Sequence, residues 1–209
     1  MIFSNKKPKV FCIGFNKTGT TTIKYTLEEH NYKMNVQSKA SVFLKDWKTR
    51  NFKPLIKYCE KYEAFQDFPF SFPYTYIALD LAFPNSKFIL TVRDTPEVWY
   101  KSITTFHGKL WANGKTPSKE DLMNAVRHYK GRPWEVNRSI FKTPESDPYN
   151  EEILKEQYVD HIKSVKEYFR FRPDDFLVIN VSKNDDYRKM CDFLKVKPKF
   201  EKFPWKNKT

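Results

Sequence analysis

Short apolar runs alternate with longer segments of mixed polarity along this chain. The runs lie at about residues 9–14, 63–66, 87–92 and 176–181, and charged or turn-forming residues border them. Buried strands of a parallel sheet have such continuous apolar character because both faces of the sheet are covered. The pattern therefore predicts a short strand at each run.

The segments between these runs predict helices, with two exceptions. The expected helices span about residues 20–30, 41–50, 52–62, 73–83, 96–106, 118–130, 150–172 and 185–195. Residues 108–118 are expected to form a loop, and residues 131–149 an irregular segment. Alternating strands and helices predict an α/β fold, a three-layer parallel sheet flanked by helices that binds ligands beyond the carboxyl ends of its strands.

The composition is that of one globular domain with an anionic partner. Of the 209 residues, 40% are hydrophobic and 17% aromatic, which is enough for a sizeable core. The net charge of +13 suits a nucleotide, an acidic acceptor, nucleic acid or an acidic membrane. Because the lysines are scattered, nucleic acid is not expected. The 3 cysteines form no CxxC pair, which argues against a disulfide framework and a zinc site.

The most informative motif is KVFCIGFNKTGTTT, at residues 9–22. A predicted strand leads through Gly14 and Gly19 into a predicted helix that begins with threonines. The first N–H groups of a helix lack intrahelical partners, and the helix dipole adds positive potential there. The arrangement predicts a phosphate-binding loop, to which Lys17 adds a full charge. The alternative is a Gly/Thr-rich turn that only caps the helix.

This loop departs from the standard P-loop, G-x-x-x-x-G-K-[ST], because Thr20 stands where that pattern has lysine. Lys17 lies two residues before Gly19 instead. The K-T-G-T-T segment resembles the loop of sulfotransferases that use 3′-phosphoadenosine 5′-phosphosulfate (PAPS). The resemblance implies a P-loop NTPase-like fold and PAPS as the cofactor. The residues expected to bind the 5′-phosphosulfate are Lys17, Thr18, Gly19, Thr20, Thr21 and Thr22.

The resemblance also implies a site for the 3′-phosphate of PAPS. In sulfotransferases an arginine at a strand end and a serine on the next helix bind this group. Arg93 and Ser102 correspond to them, although Ser102 lies one residue farther from the arginine than in the family pattern. A guanidinium can make two charge-assisted hydrogen bonds to one phosphate. The alternatives are an Arg93–Asp94 ion pair that caps the next helix, and a magnesium-binding Asp94 in an ordinary NTPase.

The C-terminal third follows the family layout as well. Its helix QYVDHIKSVKEYF places Tyr158 and His161 on one face, and a packed, hydrogen-bonded pair is favoured over a role in the site. Cytosolic sulfotransferases hold the 3′-phosphate with an additional Arg-Lys-Gly loop, which this sequence lacks. Lys206 and Lys208 are candidates to replace it.

Sulfuryl transfer requires a base near the acceptor and a cation near the leaving phosphate oxygen. Lys17 suits the second role. Asp67 follows a short strand, so it is expected at the same edge as the loop, and it resembles in position the catalytic histidine of cytosolic sulfotransferases. Alternatively, Asp67 caps a turn or pairs with Lys17. His107 and His128 are rival bases, although a surface position is expected of a lone histidine.

The predicted function is therefore transfer of the sulfuryl group from PAPS to a hydroxyl or amine of a glycan or small molecule, without a metal. The alternatives are a P-loop kinase or NTPase with a shifted lysine, and a non-catalytic nucleotide- or polyanion-binding module. No stretch is long enough to span a membrane, which favours a cytoplasmic enzyme unless the natural N-terminus lies upstream.

Residues 108–149 are expected to be an acceptor-binding or lid insertion within a single domain, 1–209. Two interpretations of the segment are open, because its side chains either contact an acceptor or pin down the segment by packing. The aromatic and basic residues concerned are Trp111, Trp134, Phe141, Tyr149, Arg127, Lys130, Arg132 and Arg138.

Overall fold

The computed structural model describes residues 7–204. The strands within that range are β1 (Val10–Cys12), β2 (Ala64–Phe65), β3 (Lys87–Thr91), β4 (Val126–Arg127), β5 (Tyr129–Lys130) and β6 (Phe176–Ile179). Four of them form a parallel sheet in the order β2-β1-β3-β6, and β4 pairs with β5 in an antiparallel hairpin. In the sheet, Val10 lies opposite Ala64 on one side and Lys87 on the other.

Helices connect these strands. They are α1 (Thr20–Glu29), α2 (Gln37–Ala40), α3 (Leu44–Lys48), α4 (Lys53–Cys59), α5 (Thr75–Ala82), α6 (Pro96–Trp111), α7 (Lys119–Asn124), α8 (Arg132–Ile140), α9 (Glu151–Tyr168) and α10 (Asp186–Leu194). A 3₁₀ turn at Ser41–Phe43 joins α2 to α3. The capping box at the start of α7 is formed by Ser118 and Asp121.

Successive residues of β1 face opposite sides of the sheet, as the geometry of a strand requires. Val10 and Cys12 pack in one core with side chains of α1 and α10. Phe11 and Ile13 pack in a second core with side chains of α4, α5 and α9. Helices therefore cover both faces, and the three-layer α/β fold predicted from the sequence is confirmed.

Three segments between β3 and α9 differ from the sequence prediction. The helix expected to end at Phe106 continues through Gly108, which is buried because the following chain packs against it: a Cβ there would lie 2.4 Å from the carbonyl oxygen of Lys115. The helix expected over 118–130 stops early, and the hairpin of β4 and β5 follows it. The segment expected to be irregular contains α8, whose first turn accommodates Pro133 without loss of a hydrogen bond.

A third cluster of side chains lies beyond the carboxyl edge of the sheet. Trp99 of α6 is fully buried and stacks on Tyr158 of α9, with ring centroids 4.5 Å apart and planes 6° from parallel. Phe15, from the loop after β1, belongs to the same cluster. The loop is thus held between the sheet and the helices α6 and α9.

Candidate active site

The loop between β1 and α1 is anchored to β3 by Thr18. The Thr18 hydroxyl lies 2.5 Å from the Thr91 hydroxyl and 2.6 Å from the carbonyl oxygen of Phe15, to which it donates. The Thr18 N–H also donates to the Phe15 carbonyl, at 3.3 Å. Because this threonine is fully buried, its hydroxyl holds the loop against β3 from the side that faces the core.

Two glycines allow the loop to approach the neighbouring strands closely. A Cβ on Gly14 would lie 2.2 Å from Thr91 Oγ1, and a Cβ on Gly19 would lie 2.4 Å from Val181 Cγ2. Gly19 also has φ = +103°, in the left-handed region that favours glycine. It immediately precedes α1, whose first turn carries no acidic residue. The start of α1 thus presents the positive end of a helix dipole beside Lys17.

The structure brings Lys17 and Arg93 together. Arg93 Nε donates a 2.6 Å hydrogen bond to the Lys17 carbonyl oxygen, and the Arg93 N–H donates a 2.9 Å bond to the Tyr158 hydroxyl. The Lys17 ammonium lies 3.8 Å from the ring centroid of Phe106, a cation–π contact. Burial, followed by the charges of Arg93 and Lys109, holds the pKa of Lys17 below its usual value. The Arg93 side chain is therefore fixed against the loop that carries Lys17, at the carboxyl edge of the sheet.

Asp94, the neighbour of Arg93, is engaged by residues that follow β6. Its Oδ1 accepts from Lys183 Nζ at 2.8 Å and from Asn180 Nδ2 at 3.1 Å. The hydrogen bond from Lys183 is the main cause that lowers the pKa of Asp94. The carboxylate thus serves to tie the end of β3 to the end of β6.

Ser102 lies on the face of α6 that contacts the loop. It is three residues after Trp99, whose Nε1–H donates to the Asn16 carbonyl at 3.0 Å, and four before Phe106. The hydroxyl oxygen of Ser102 is buried, as is Asn16 Oδ1, and neither has a hydrogen-bond partner within residues 7–204. Buried polar groups are rarely left unpaired, so each of these atoms is suited to a ligand.

Asp67 follows β2 and adopts a left-handed backbone conformation, with φ = 64°. Its Oδ1 accepts a 2.8 Å hydrogen bond from the N–H of Phe68. Burial raises the pKa of Asp67, while that bond and the charges of Arg127, Arg132 and His128 oppose the rise. No ion pair joins Asp67 to Lys17 in the described part of the chain.

A cavity opens between Asp67 and the loop. Asp67 and Asn16 both line it, and Asn16 immediately precedes Lys17. The α6 helix supplies a further wall, and the segment from the end of α6 to Tyr149 supplies most of the rest. The structure therefore places the candidate base and the candidate phosphate loop around one space.

His107 also lines this cavity, where sequence reasoning expected a surface histidine. Its Nδ1 lies 2.7 Å from the Tyr149 hydroxyl, and its ring packs on Trp111 with centroids 4.5 Å apart. Burial, followed by the charges of Arg127 and Lys17, lowers the pKa of His107 to about 3. The imidazole is therefore neutral at physiological pH. His128, the other rival base, lies in the same cavity wall.

Tyr158 and His161 hold the backbone near the site. His161 Nε2 donates to the Ile13 carbonyl oxygen at 2.8 Å, and the Tyr158 hydroxyl accepts from the backbone N–H of Arg93. Burial lowers the pKa of His161 to about 4. This is the packed, hydrogen-bonded arrangement favoured from the sequence. Lys206 and Lys208 lie outside the described residues.

The parallel sheet and the loop after β1 define a P-loop-like α/β protein. A family model described as a sulfotransferase domain matches residues 9–209. The chain therefore belongs to the sulfotransferase family, whose chemistry is sulfuryl transfer. No match is found among curated proteins.

The described residues contain neither a membrane-spanning helix nor a cluster of metal ligands. Between residues 7 and 204, no helix has both the length and the apolar character needed to cross a bilayer. The same range holds no group of His, Cys, Asp and Glu side chains that would bind a metal ion.

Proposed function

We propose that this protein transfers the sulfuryl group of PAPS to a hydroxyl or amine of an acceptor. The proposal rests on family membership and on one geometric observation, the contact between Arg93 and the Lys17 loop. PAPS has two anionic groups, the 5′-phosphosulfate and the 3′-phosphate, and Lys17 and Arg93 would supply one cation for each. A location in the cytoplasm remains part of the proposal.

The donor side of the site fits PAPS in its charge and in its hydrogen-bond donors. The Lys17 ammonium and the start of α1 would bind the 5′-phosphosulfate, with Gly19 and the threonines from Thr20 to Thr22 around it. Thr18 contributes by fixing the loop to Thr91. Arg93 and the Ser102 hydroxyl, which has no hydrogen-bond partner among residues 7–204, would bind the 3′-phosphate. PAPS supplies an activated sulfuryl group, and Lys17 neutralises negative charge on the departing phosphate oxygen.

Asp67 is the proposed general base. As a carboxylate it accepts the proton of the acceptor hydroxyl or amine, and the Phe68 N–H holds one of its oxygens in place. The other oxygen is left for the acceptor. The raised pKa makes Asp67 a stronger base than an exposed aspartate. Residues 108–149 supply much of the opposite cavity wall, which supports the acceptor-binding role proposed for this segment.

Comparing how 3′,5′-ADP and ATP stabilise the protein tests whether PAPS is the donor. We expect 3′,5′-ADP to raise the melting temperature strongly, and ATP with magnesium to have little effect. Transfer from radiolabelled PAPS to a panel of acceptors should proceed in the presence of EDTA. Stabilisation by ATP and magnesium alone would favour the NTPase alternative. The bonds of Asp94 to Lys183 and Asn180 already weigh against that alternative.

Ser102→Ala tests the assignment of the 3′-phosphate. A hydrogen bond to a charged group contributes about 1.5–3 kcal/mol, so the affinity for 3′,5′-ADP should fall by about 10- to 100-fold. The affinity for 5′-AMP, which has no 3′-phosphate, should not change. Ser38→Ala, at an exposed position of α2, is the matched control. An equal loss of affinity for both nucleotides would contradict the assignment.

A further inference from the structure

The cavity beside the phosphate loop has mainly apolar walls. Rings and aliphatic side chains line it, among them Phe15, Phe68, Trp99, Ile103, Trp111 and Phe141. A sugar has hydroxyl groups all around its ring, and those that face the apolar walls would be buried without partners, which is costly. A flat, largely apolar ring would replace water at the same walls favourably.

One wall of this cavity contains a buried guanidinium that forms no ion pair within residues 7–204. Arg132, the first residue of α8, is only 4% exposed. Its Nη2 donates one long hydrogen bond, 3.4 Å, to the Ser41 carbonyl oxygen, and its Nε is buried without a partner anywhere in residues 7–204. No carboxylate of the described chain pairs with it. A buried charge in this state is costly unless a ligand completes it.

The charged groups around Arg132 favour an anionic ligand. Arg127 and His128, from the adjacent hairpin, line the same cavity. Asp67 is the carboxylate in that wall, and it is not within ion-pair distance of Arg132. Glu135 also acts on Arg132, but it pairs with Lys48 and Tyr129 and does not line the cavity. Among the lining side chains the two arginines therefore exceed the one carboxylate in charge, and the apolar surroundings strengthen the field inside the cavity.

From these observations we infer that the acceptor is a compact, ring-bearing hydroxy or amino compound that carries a carboxylate, and that Arg132 binds this carboxylate. The inference deepens the proposed function and rests on it, since the ring must bring its hydroxyl or amine to Asp67. The Nε and Nη donors of a guanidinium form a planar fork that matches the two oxygens of a carboxylate. The apolar walls then hold the ring between the two polar groups.

Matched pairs of small phenols test this inference by calorimetry. The probes are 2-, 3- and 4-hydroxybenzoate, each compared with the corresponding hydroxybenzamide, with 3′,5′-ADP bound and without it. The amides keep the ring and the hydroxyl but have no negative charge. We expect at least one acid to bind about 10- to 100-fold more tightly than its amide, which is the range for a hydrogen bond to a charged group.

Arg132→Met should remove this preference. It keeps a long apolar side chain in the wall, so amide binding and 3′,5′-ADP binding are expected to remain. Arg132→Lys keeps the charge without the planar fork and should lose most of the preference, so it serves if the methionine variant does not fold. Arg188→Met, on the exposed surface of α10 and away from the cavity lining, should leave the preference unchanged.

Two results would overturn the inference. One is that no acid binds better than its amide. The other is that Arg132→Met weakens the binding of 3′,5′-ADP or PAPS and leaves the preference for the acid unchanged. The guanidinium would then bind the sulfuryl donor and not the acceptor. A different result would contradict the proposed function. If the protein bound the acids selectively but had no affinity for 3′,5′-ADP, the carboxylate site would be supported and PAPS would be excluded as the donor.

Discussion

Asp67 occupies a backbone conformation that few residues tolerate. With φ = 64°, asparagine is the best neutral replacement, because Asn and Asp populate the left-handed region more readily than other side chains with a Cβ. Asp67→Asn also keeps an oxygen for the Phe68 N–H. We expect kcat to fall by about 10²- to 10⁴-fold, the usual contribution of a positioned base, with unchanged 3′,5′-ADP affinity. Steady-state kinetics and calorimetry measure the two effects.

The same substitution should stabilise the fold. Burial raises the pKa of Asp67 above its unfolded value of 3.8, so the ionised form costs stability above the raised pKa, and the cost disappears below 3.8. We therefore expect Asp67→Asn to melt at a higher temperature than wild type at pH 7, with the difference shrinking as the pH falls. A variant that loses both stability and turnover would mean that Asp67 acts by shaping the turn.

The pH profile of kcat/KM should have an acid limb at a higher pH, and an alkaline limb at a lower pH, than an exposed aspartate and an exposed lysine would give. Asp67 must be ionised to accept a proton, and its pKa is raised, so activity falls on acidification at a higher pH than for an exposed aspartate. Lys17 must be charged, and its pKa is lowered, so activity falls on alkalinisation below 10.5. Because kcat/KM reports the free enzyme, these directions apply without the donor. An acid limb that persists in Asp67→Asn would assign the base to another group.

At the scale of elements, the conformation of the loop between β1 and α1 depends on how closely the start of α1 approaches the chain after β6. Gly19→Ala would add a left-handed strain of about 1–2 kcal/mol and an overlap of about 1–3 kcal/mol with Val181. We expect the free energy of unfolding to drop and 3′,5′-ADP affinity to weaken. In the double variant Gly19→Ala/Val181→Ala the overlap with the two Cγ atoms is removed, a tight contact of 3.2 Å with the Cβ of residue 181 is left, and the strain remains.

A double-mutant cycle measured by urea unfolding separates these two contributions. A positive coupling that restores part of the stability is expected. Additive losses would show that Val181 does not set the distance between the loop and β6. Thermal unfolding of Val181→Ala alone gives the cost of the lost buried methyl groups.

The sequence predicted some elements better than others, for physical reasons. Continuous apolar runs identified the parallel strands because both sheet faces are covered. Residues 108–118 were expected to form a loop, yet α6 continues through Gly108, where the chain at Lys115 occupies the space of the missing side chain. Proline and glycine between residues 131 and 149 suggested irregular chain, yet α8 uses Pro133 in its first turn. Such tertiary reasons are not visible in local composition.

The residues of the candidate site also differ in how far the local sequence predicts them. Lys17, Arg93 and Asp67 were predicted because each follows a predicted strand and resembles a sulfotransferase position, and the ends of parallel strands meet at one edge. Their roles stay predictions. Arg132 was named only as one basic residue among several in its segment. Its burial depends on packing against Ser41, which is distant in sequence. No pattern along the chain carries that information.

At the scale of the whole molecule, the cysteines offer a measure of global opening. Cys12, Cys59 and Cys191 are fully buried, and burial raises the pKa of each thiol. A thiol reagent should therefore modify them only when the protein unfolds. With 3′,5′-ADP at 100 times its dissociation constant, labelling should slow by about 100-fold. Rapid labelling that ignores the nucleotide would mean local access, and ATP with magnesium is the control ligand.

The two hydrogen bonds from α9 have a consequence for how such proteins diverge. Tyr158 and His161 bond to main-chain atoms of Arg93 and Ile13, so the end of β3 and the loop after β1 are held by backbone contacts that tolerate exchange of nearby surface side chains. The cavity wall that faces this loop is contributed largely by the single stretch 108–149. Substitutions in that stretch can therefore change the chemistry of the cavity during evolution, while the contacts that hold the loop are kept.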